Sequence, residues 1–200
     1  MPRPRGPARD LLLDAAQTLL LERGYEAAAL DDVCTRAGVT KGALFYHFQS
    51  KEQLAAAAVE RFYDQLVRTA QEAMGSPEDP AEVLWRYLDA TMTLLRDPLL
   101  ARGCLLGAMA LETPQTHPAV AAAAQAALGR WRTTLVEVIG AAAHHHDVRV
   151  DADALADGLL AAVEGGLLLD HAKPTNPAAV AAVTHFRRYL QMTLSQGGQP

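Results

Sequence analysis

The residues best able to do chemistry lie in one short stretch, from Ala37 to Phe48, and at the start of the segment that follows it. Hydroxyl, ammonium, phenol and imidazole groups alternate there with glycine and alanine, and none of the spacings matches a catalytic triad, a phosphate loop or a zinc site. Polar side chains and free amide groups at the start of a helix instead bind phosphate oxygens. We therefore predict a phosphate-contacting, DNA-binding surface formed by Thr40, Lys41, Gly42, Ala43, Phe45, Tyr46, His47 and Lys51.

This stretch is predicted to be the second half of a pair of short helices. The first helix covers roughly Leu30 to Ala37 and ends at Gly38. The second begins after Thr40, whose hydroxyl can cap it, and runs to about Phe48. Leu44 and Phe48 lie four residues apart, so both would face a core. Two short helices joined by a tight, glycine-containing turn form a helix-turn-helix, whose second helix enters the major groove of DNA.

The rest of the chain is predicted to be helical as well, because apolar residues recur at helical spacing and no alternating strand pattern appears. Gly24 is predicted to end the first helix and Ser50 to cap the fourth. With the two short helices, this gives an all-α fold of about nine helices. The others are expected over roughly 9–23, 51–73, 80–96, 100–111, 118–143, 151–171 and 176–195.

The composition is that of a globular protein, since 50% of the 200 residues are hydrophobic and 20% are charged. The formal net charge of −5 is unevenly distributed, because residues 1–51 contain seven Lys and Arg against six Asp and Glu, whereas the remainder is acidic. A slightly basic front end on an acidic body suits a DNA-binding head. No apolar run is long enough for a membrane span or a signal peptide, and two cysteines do not make a disulfide framework. We therefore expect a cytoplasmic protein without a membrane partner.

About the first fifty residues resemble the tetracycline-repressor (TetR) family of bacterial transcriptional regulators. The resemblance is carried by Arg9…Leu13-Asp14-Ala15-Ala16…Glu22-Arg23-Gly24-Tyr25, by Asp32-Val33…Ala37-Gly38-Val39 and by the segment from Thr40 to Glu52. It implies a helix-turn-helix DNA-binding domain over residues 1–50 and a helical effector-binding and dimerisation domain over residues 51–200. A protein of this kind would be a ligand-responsive regulator, most simply a repressor that a small molecule releases from a pseudo-palindromic operator in double-stranded DNA.

Two departures from the family pattern bear on DNA contact. Ala27-Ala28-Ala29 stands where a Ser or Thr usually precedes the second helix, so a capping hydroxyl worth about 1 kcal/mol is missing. Phe45 stands where tyrosine is common, so no phenolic contact is possible there. A second class of function therefore stays open, namely a helical small-molecule binding protein with weakened DNA contacts.

The helical body is expected to hold the effector in a cavity between its helices, over residues 80–172. Large, soft side chains adapt to apolar ligands, although each of them could equally be ordinary core. Glu164 is different, because a carboxylate inside an apolar segment needs a partner, which could be a cationic ligand group, an arginine across a dimer or solvent. The candidates are Trp85, Met92, Cys104, Met109, Trp131 and Glu164.

Cys104 lies in Arg102-Gly103-Cys104-Leu105-Leu106-Gly107, which resembles a Gly-Cys-Leu-Leu segment found in part of the family. Some of those members sense electrophiles through a cysteine, so the alternative function is a cysteine-based, electrophile- or redox-responsive regulator. The other interpretation is a small buried residue. The run His144-His145-His146 is not expected to bind a metal, because adjacent side chains on a helix point about 100° apart. We expect no enzyme activity, cofactor or metal.

The last two predicted helices carry more apolar surface than one monomer should bury. The helix over residues 151–171 is apolar on nearly every side, and the last helix has an apolar stripe. Small residues would let backbones approach closely, so the two helices can pair with their symmetry mates in a four-helix bundle. The predicted homodimer interface contains Gly158, Ala162, Gly165, Leu168, Val183, Phe186 and Leu190.

Overall fold

The computed structural model describes residues 5–75, 77, 79–97, 100, 102–172 and 177–195. Over these residues the chain forms nine α-helices and no strand, so the predicted all-α fold is confirmed. Asn176, where the sequence begins the last helix, lies outside the described residues. In chain order the helices are α1 (Arg5–Ala27), α2 (Leu30–Ala37), α3 (Lys41–His47), α4 (Lys51–Met74), α5 (Pro80–Leu94), α6 (Leu105–Glu112), α7 (Pro118–His145), α8 (Ala152–Ala172) and α9 (Ala178–Ser195).

Two helices have ends that differ from the prediction, and in both cases a glycine lies at the difference. α6 begins at Leu105, later than predicted, because Gly103 has a left-handed φ of 105° and Cys104 is extended, with φ −92° and ψ 120°. α1 continues past its predicted end to Ala27, yet Gly24 itself leaves the helical conformation with φ 76° and ψ 176°. The predicted stop at Gly24 is therefore a break that is followed by one more turn.

One compact unit contains Met1–Gln65 and Cys104–Leu128. In this unit α1 packs against α2, α3 and α6, around a core in which Leu12, Leu44 and Phe62 are fully buried. α6 and the first part of α7 thus belong with the helices of the predicted DNA-binding domain. The contact between α1 and α6 joins segments distant in the sequence, and the division into domains at residue 50 stays a prediction.

The second compact unit contains Leu66–Gly103 and Gly129–Pro200. In it α9 packs against both α8 and α5. α8 and α9 lie close together at Gly166, where an added Cβ would lie 2.3 Å from the Cα of Ala179, so only glycine fits. The close approach that the small residues predict therefore occurs within one chain.

This packing corrects part of the predicted dimer interface. Val183 and Leu190 of α9 are fully buried inside the single chain, and a Cβ on Gly158 would lie 3.1 Å from Cε2 of Phe186 in the same chain. The apolar stripe of α9 thus faces helices of its own chain, and Val183 and Leu190 offer no surface to a second one. The large apolar side chains of α8 and α9 that lie on the outside are Leu168 at 69% exposure, Leu169 at 59%, Tyr189 at 53% and Met192 at 64%.

Candidate nucleic-acid interface

The turn between α2 and α3 is built by one glycine and one threonine. Gly38 adopts a left-handed conformation with φ 64°, which lets the backbone end α2 with hydrogen bonds to the carbonyl oxygens of Thr35 and Cys34. Thr40 is extended, and its Oγ1 accepts a hydrogen bond of 3.2 Å from the amide of Ala43. The predicted stop at Gly38 and the predicted cap at Thr40 are both confirmed.

α3 is held in place by its apolar side. Leu44 is fully buried, and Phe48, the residue that ends the helix, is 3% exposed, as their spacing predicts. Val33 and Ala37 of α2 are buried as well, and α3 packs against both α1 and α2. The opposite side of α3 is therefore presented to solvent in a fixed orientation.

The solvent side of α3 carries the predicted DNA-contacting residues. The second and third residues of α3, Gly42 and Ala43, are small and leave the start of the helix open to close approach. Further along, Phe45 is 51% exposed and Tyr46 is 64% exposed. Four of the predicted residues on α3 are exposed and two are half-buried. The exposed ones are Lys41, Gly42, Phe45 and Tyr46, and the half-buried ones are Ala43 and His47.

Lys41 forms an ion pair across the turn. Its Nζ lies 2.6 Å from Oδ1 of Asp31 in α2, and the hydrogen bond to this carboxylate raises the pKa of Lys41, so the ammonium stays charged. The neighbouring Asp32 pairs instead with Arg23 of α1, also at 2.6 Å. A DNA phosphate that approached Lys41 would therefore compete with a carboxylate that is already there.

The starts of α2 and α4 differ in their caps. Ala29 precedes α2 and provides no side-chain cap, as the alanine run predicts. α4 is preceded by Ser50, whose Oγ accepts a hydrogen bond of 3.1 Å from the amide of Gln53, while Oε1 of Gln53 accepts one of 2.6 Å from the amide of Gln49. The predicted cap at Ser50 is confirmed, and it fixes the first turn of α4, where Lys51 lies.

Lys51 is engaged in a way that the sequence does not predict. Its Nζ donates a hydrogen bond of 3.1 Å to the carbonyl oxygen of Glu26 and lies 4.5 Å from the ring centroid of Tyr25. An ammonium group has three protons to donate, so it can keep this contact and still offer a proton to a phosphate. Residues at the end of α1 therefore position the Lys51 ammonium group.

The candidate effector-binding residues are divided between the two compact units. Cys104, which directly precedes α6, and Met109 of α6 are both buried in the first unit. The one cavity that the sequence predicts for all of them therefore stays a prediction. The half-buried candidates of the second unit are Trp85, Met92, Trp131 and Glu164.

Two of these candidates contact α9 within the second unit. The Thr184 hydroxyl donates a hydrogen bond of 2.7 Å to the carbonyl oxygen of Val180, and its Oγ1 lies 3.5 Å from Sδ of Met92. The guanidinium carbon of Arg187 lies 5.7 Å from the ring centroid of Trp85, and the same guanidinium pairs with Asp89. Aromatic, thioether and charged groups thus gather where α5 meets α9.

Two further features of the described residues concern possible metal ligands and the apolarity of the helices. No group of His, Cys, Asp or Glu side chains there is arranged to hold a metal ion. The histidine run ends α7, and Nε2 of His145 lies 3.6 Å from Oδ1 of Asp79. No helix among the described residues combines the length and the apolarity that crossing a bilayer requires.

Two family models match this chain. The model of the bacterial regulatory proteins of the tetR family matches residues 12–58, and that of the tetracyclin repressor-like C-terminal domain matches residues 80–190. The HTH-type transcriptional repressor DhaR of Mycobacterium sp. (strain GP1) is 28% identical over 166 residues, which are 82% of each chain. The HTH-type transcriptional regulator LmrA of Bacillus subtilis is 28% identical over 165 residues, which are 82% of this chain and 86% of LmrA.

A solved structure has the same arrangement of helices. It is the crystal structure of a TetR transcriptional regulator from Chloroflexus aurantiacus, with a TM-score of 0.81 and 27% sequence identity, and the match covers 92% of this chain and 94% of that one. The first family model includes the helix-turn-helix formed by α2 and α3, and the second extends from α5 into α9. The chain therefore belongs to the tetR family of bacterial regulatory proteins.

Proposed function

We propose that this protein is a ligand-responsive transcriptional repressor that binds a pseudo-palindromic operator as a homodimer and leaves it when a small molecule binds. The observation that carries the proposal is the α2–α3 pair, in which buried Leu44 and Phe48 hold α3 with Lys41, Phe45 and Tyr46 toward solvent. A helix held in this way can enter the major groove. The direction of regulation is supported by the relative DhaR, which is named a repressor.

The side chains of α3 have distinct roles in the proposed complex. The first amides of α3 and the Lys41 ammonium contact phosphates. Tyr46 and His47 offer a hydroxyl and an imidazole to oxygens of the DNA backbone. Ala43 and Phe45 contact base edges, where an apolar ring suits the methyl group of thymine. Affinity then comes mainly from the phosphate contacts, and sequence preference comes from the base contacts.

The proposed dimer uses the outward face of α8 and α9, which we define by Leu168, Leu169, Tyr189 and Met192. Each of these side chains is more than half exposed in the single chain, and so large an apolar surface is typical of an interface. Two copies related by a two-fold axis would bury this face on both chains and present two recognition helices to two half-sites. Among the sequence-predicted interface residues, Gly165 is also exposed, and Ala162 and Phe186 are half-buried.

The effector is proposed to bind among the helices of the C-terminal family domain, residues 80–190. Cavities between packed helices are common ligand sites, and the meeting point of α5 and α9 offers Trp85, Met92 and Arg187 to a ligand with an apolar body and a polar end. Such a ligand releases DNA only if it binds one conformation of the protein better than the other.

Lys41→Ala and Lys51→Ala are each expected to weaken binding to every DNA sequence, because each removes a phosphate contact. The slope of log affinity against log salt concentration should fall by about one for each lysine. Fluorescence anisotropy over a salt series measures both quantities, on an operator selected from random duplexes and on unrelated DNA. Arg149→Ala, which removes one exposed positive charge in the second unit, should leave the slope unchanged. An unchanged slope in both lysine variants would overturn the proposed surface.

Asp31→Asn is expected to strengthen DNA binding by about two- to fivefold and to steepen its salt dependence, because the Lys41 ammonium no longer has a carboxylate to pair with. Asp32→Asn is the matched control, since it changes the charge equally, one residue away, on a carboxylate that pairs with Arg23. The same anisotropy measurement should show a smaller gain for Asp32→Asn. In a Lys41→Ala background the difference between the two variants should disappear. Equal gains in the wild-type background would show that Asp31 does not restrain Lys41.

A further inference from the structure

Two backbone amides near the end of α1 need acceptors from outside the helix. Gly24 has φ 76° and ψ 176°, so the residues after it form a separate helical turn that begins at Tyr25 and Glu26. The first amides of any helical turn have no carbonyl partner within that turn. The break at Gly24 therefore creates a local need for a cap.

The cap is supplied by α6, far along the chain. Oε1 of Glu112, the last residue of α6, accepts a hydrogen bond of 2.8 Å from the Tyr25 amide and one of 3.4 Å from the Glu26 amide. A Cβ added to Gly24 would lie 2.8 Å from the same oxygen. Gly24 thus provides both the break and the space for the carboxylate, and Glu112 acts as an N-cap from another helix.

Further contacts tie the same region to the start of α7. Nε2 of His117 lies 2.8 Å from Oε1 of Glu26, and this hydrogen bond lowers the pKa of the Glu26 carboxyl. The ring centroids of His117 and Tyr25 are 3.9 Å apart. Glu52 in the first turn of α4 accepts a hydrogen bond of 3.0 Å from the amide of Ala119 in α7. The start of α7 therefore contacts both α1 and α4.

These contacts lie on both sides of the helix-turn-helix along the chain. Residues 112–119, which we call the α6–α7 corner, contact the end of α1, which leads into α2, and the start of α4, which follows α3. Tyr25 is only 3% exposed, whereas the acceptor Glu112 is exposed to solvent. A displacement of α6 would thus act on the DNA-binding helices through the hydrogen bond between Tyr25 and Glu112.

We propose that Glu112 is a positioning residue for DNA recognition. Its carboxylate caps the amides after the Gly24 break, and in this way it sets the end of α1 and, through α2, the orientation of α3. The role needs an acceptor oxygen and not a charge, so glutamine can replace Glu112 whereas alanine cannot. The inference rests on the proposed DNA-binding function, because one of its measurements is operator affinity.

The first experiment compares Glu112→Ala with Glu112→Gln on an operator selected from random duplexes. Glu112→Ala should lose about tenfold in operator affinity, as expected for the loss of one cap, and change little on random DNA, where phosphate contacts dominate. Glu112→Gln should stay within about twofold of the wild type on both DNAs. Hydrogen exchange at the Tyr25 and Glu26 amides should accelerate in the alanine variant and stay slow in the glutamine variant.

Thr113→Ala is the matched control, because Thr113 is buried next to Glu112 and its hydroxyl donates a hydrogen bond of 2.6 Å to the carbonyl oxygen of Met109 in α6. It should lower the melting temperature without changing the ratio of operator affinity to random-DNA affinity. The proposal is overturned if Thr113→Ala and Glu112→Ala reduce this ratio equally for the same loss of melting temperature. It is also overturned if glutamine does not rescue, or if exchange in Glu112→Ala is unchanged. A wild type that selects no operator contradicts the proposed function itself.

A double-mutant cycle tests the contact between Gly24 and Glu112. Gly24→Ala and Gly38→Ala both place a side chain at a left-handed φ, of 76° and 64°, but no described atom lies within 4 Å of a Cβ added at Gly38. Gly24→Ala should therefore lower the melting temperature more in the wild type than in a Glu112→Ala background, where the carboxylate is gone. Gly38→Ala should cost the same in both backgrounds. Equal losses for Gly24→Ala in the two backgrounds would contradict the contact.

Discussion

Leu168→Arg is expected to give a folded monomer that no longer binds operator DNA cooperatively. Leu168 is 69% exposed in the single chain, so the substitution leaves the core of the monomer intact. In the proposed dimer, however, it would place a charge in an apolar interface, and two-fold symmetry would place it there twice. The dissociation constant of the dimer should therefore rise by about a thousandfold or more.

Analytical ultracentrifugation measures the dimer, and circular dichroism shows whether the monomer is folded. Leu190→Arg is the contrasting variant, because Leu190 is fully buried inside the chain, so this arginine should unfold the protein and not simply separate two chains. Leu111→Arg is the control, because Leu111 is 85% exposed on α6 and lies outside the outward face of α8 and α9. It should remain dimeric and bind DNA. A Leu168→Arg protein that is still dimeric at micromolar concentration would assign the interface to another face.

Features that depend on neighbours along the chain could be predicted from the sequence. The start of α3 needs only a hydroxyl at Thr40 and an amide three residues later, and the end of α2 needs only a glycine at Gly38. The burial of Leu44 and Phe48 follows from their helical spacing. For this reason the helix-turn-helix, and the face of α3 that it presents, are accessible to sequence analysis.

Features that depend on distant partners could not be predicted in this way. The spacing of Val183 and Leu190 shows that they face apolar surface, but it does not show whether that surface belongs to the same chain or to a second one. Glu112 is an ordinary acidic residue at the end of a helical pattern, and nothing in the sequence connects it with Tyr25, 87 residues away. Similarly, the apolar pattern of α6 extends across Gly103, and only the φ of 105° shows that the helix begins after it.

Gly42→Ala is expected to make the protein more stable and a poorer DNA binder. Gly42 lies in α3 without a left-handed φ, and the nearest described atom to an added Cβ would be Oγ1 of Thr40 at 3.8 Å. The fold therefore has room for alanine, which favours a helix over glycine by up to about 1 kcal/mol. Nothing inside the described chain requires glycine here, so any cost of the substitution has to come from a molecule that approaches α3 from outside.

In the proposed complex the approaching molecule is DNA. Because Gly42 has no Cβ, DNA can come close to the backbone at the start of α3. We expect Gly42→Ala to raise the melting temperature and to lower operator affinity by about tenfold, the effect of losing one good contact. Gly129→Ala is the matched control, because Gly129 is exposed in α7 and no described atom lies within 4 Å of an added Cβ. It should stabilise the protein similarly and leave operator affinity unchanged. If Gly42→Ala binds the operator as tightly as the wild type, DNA does not meet α3 at this position, and the contact must involve another part of its exposed side.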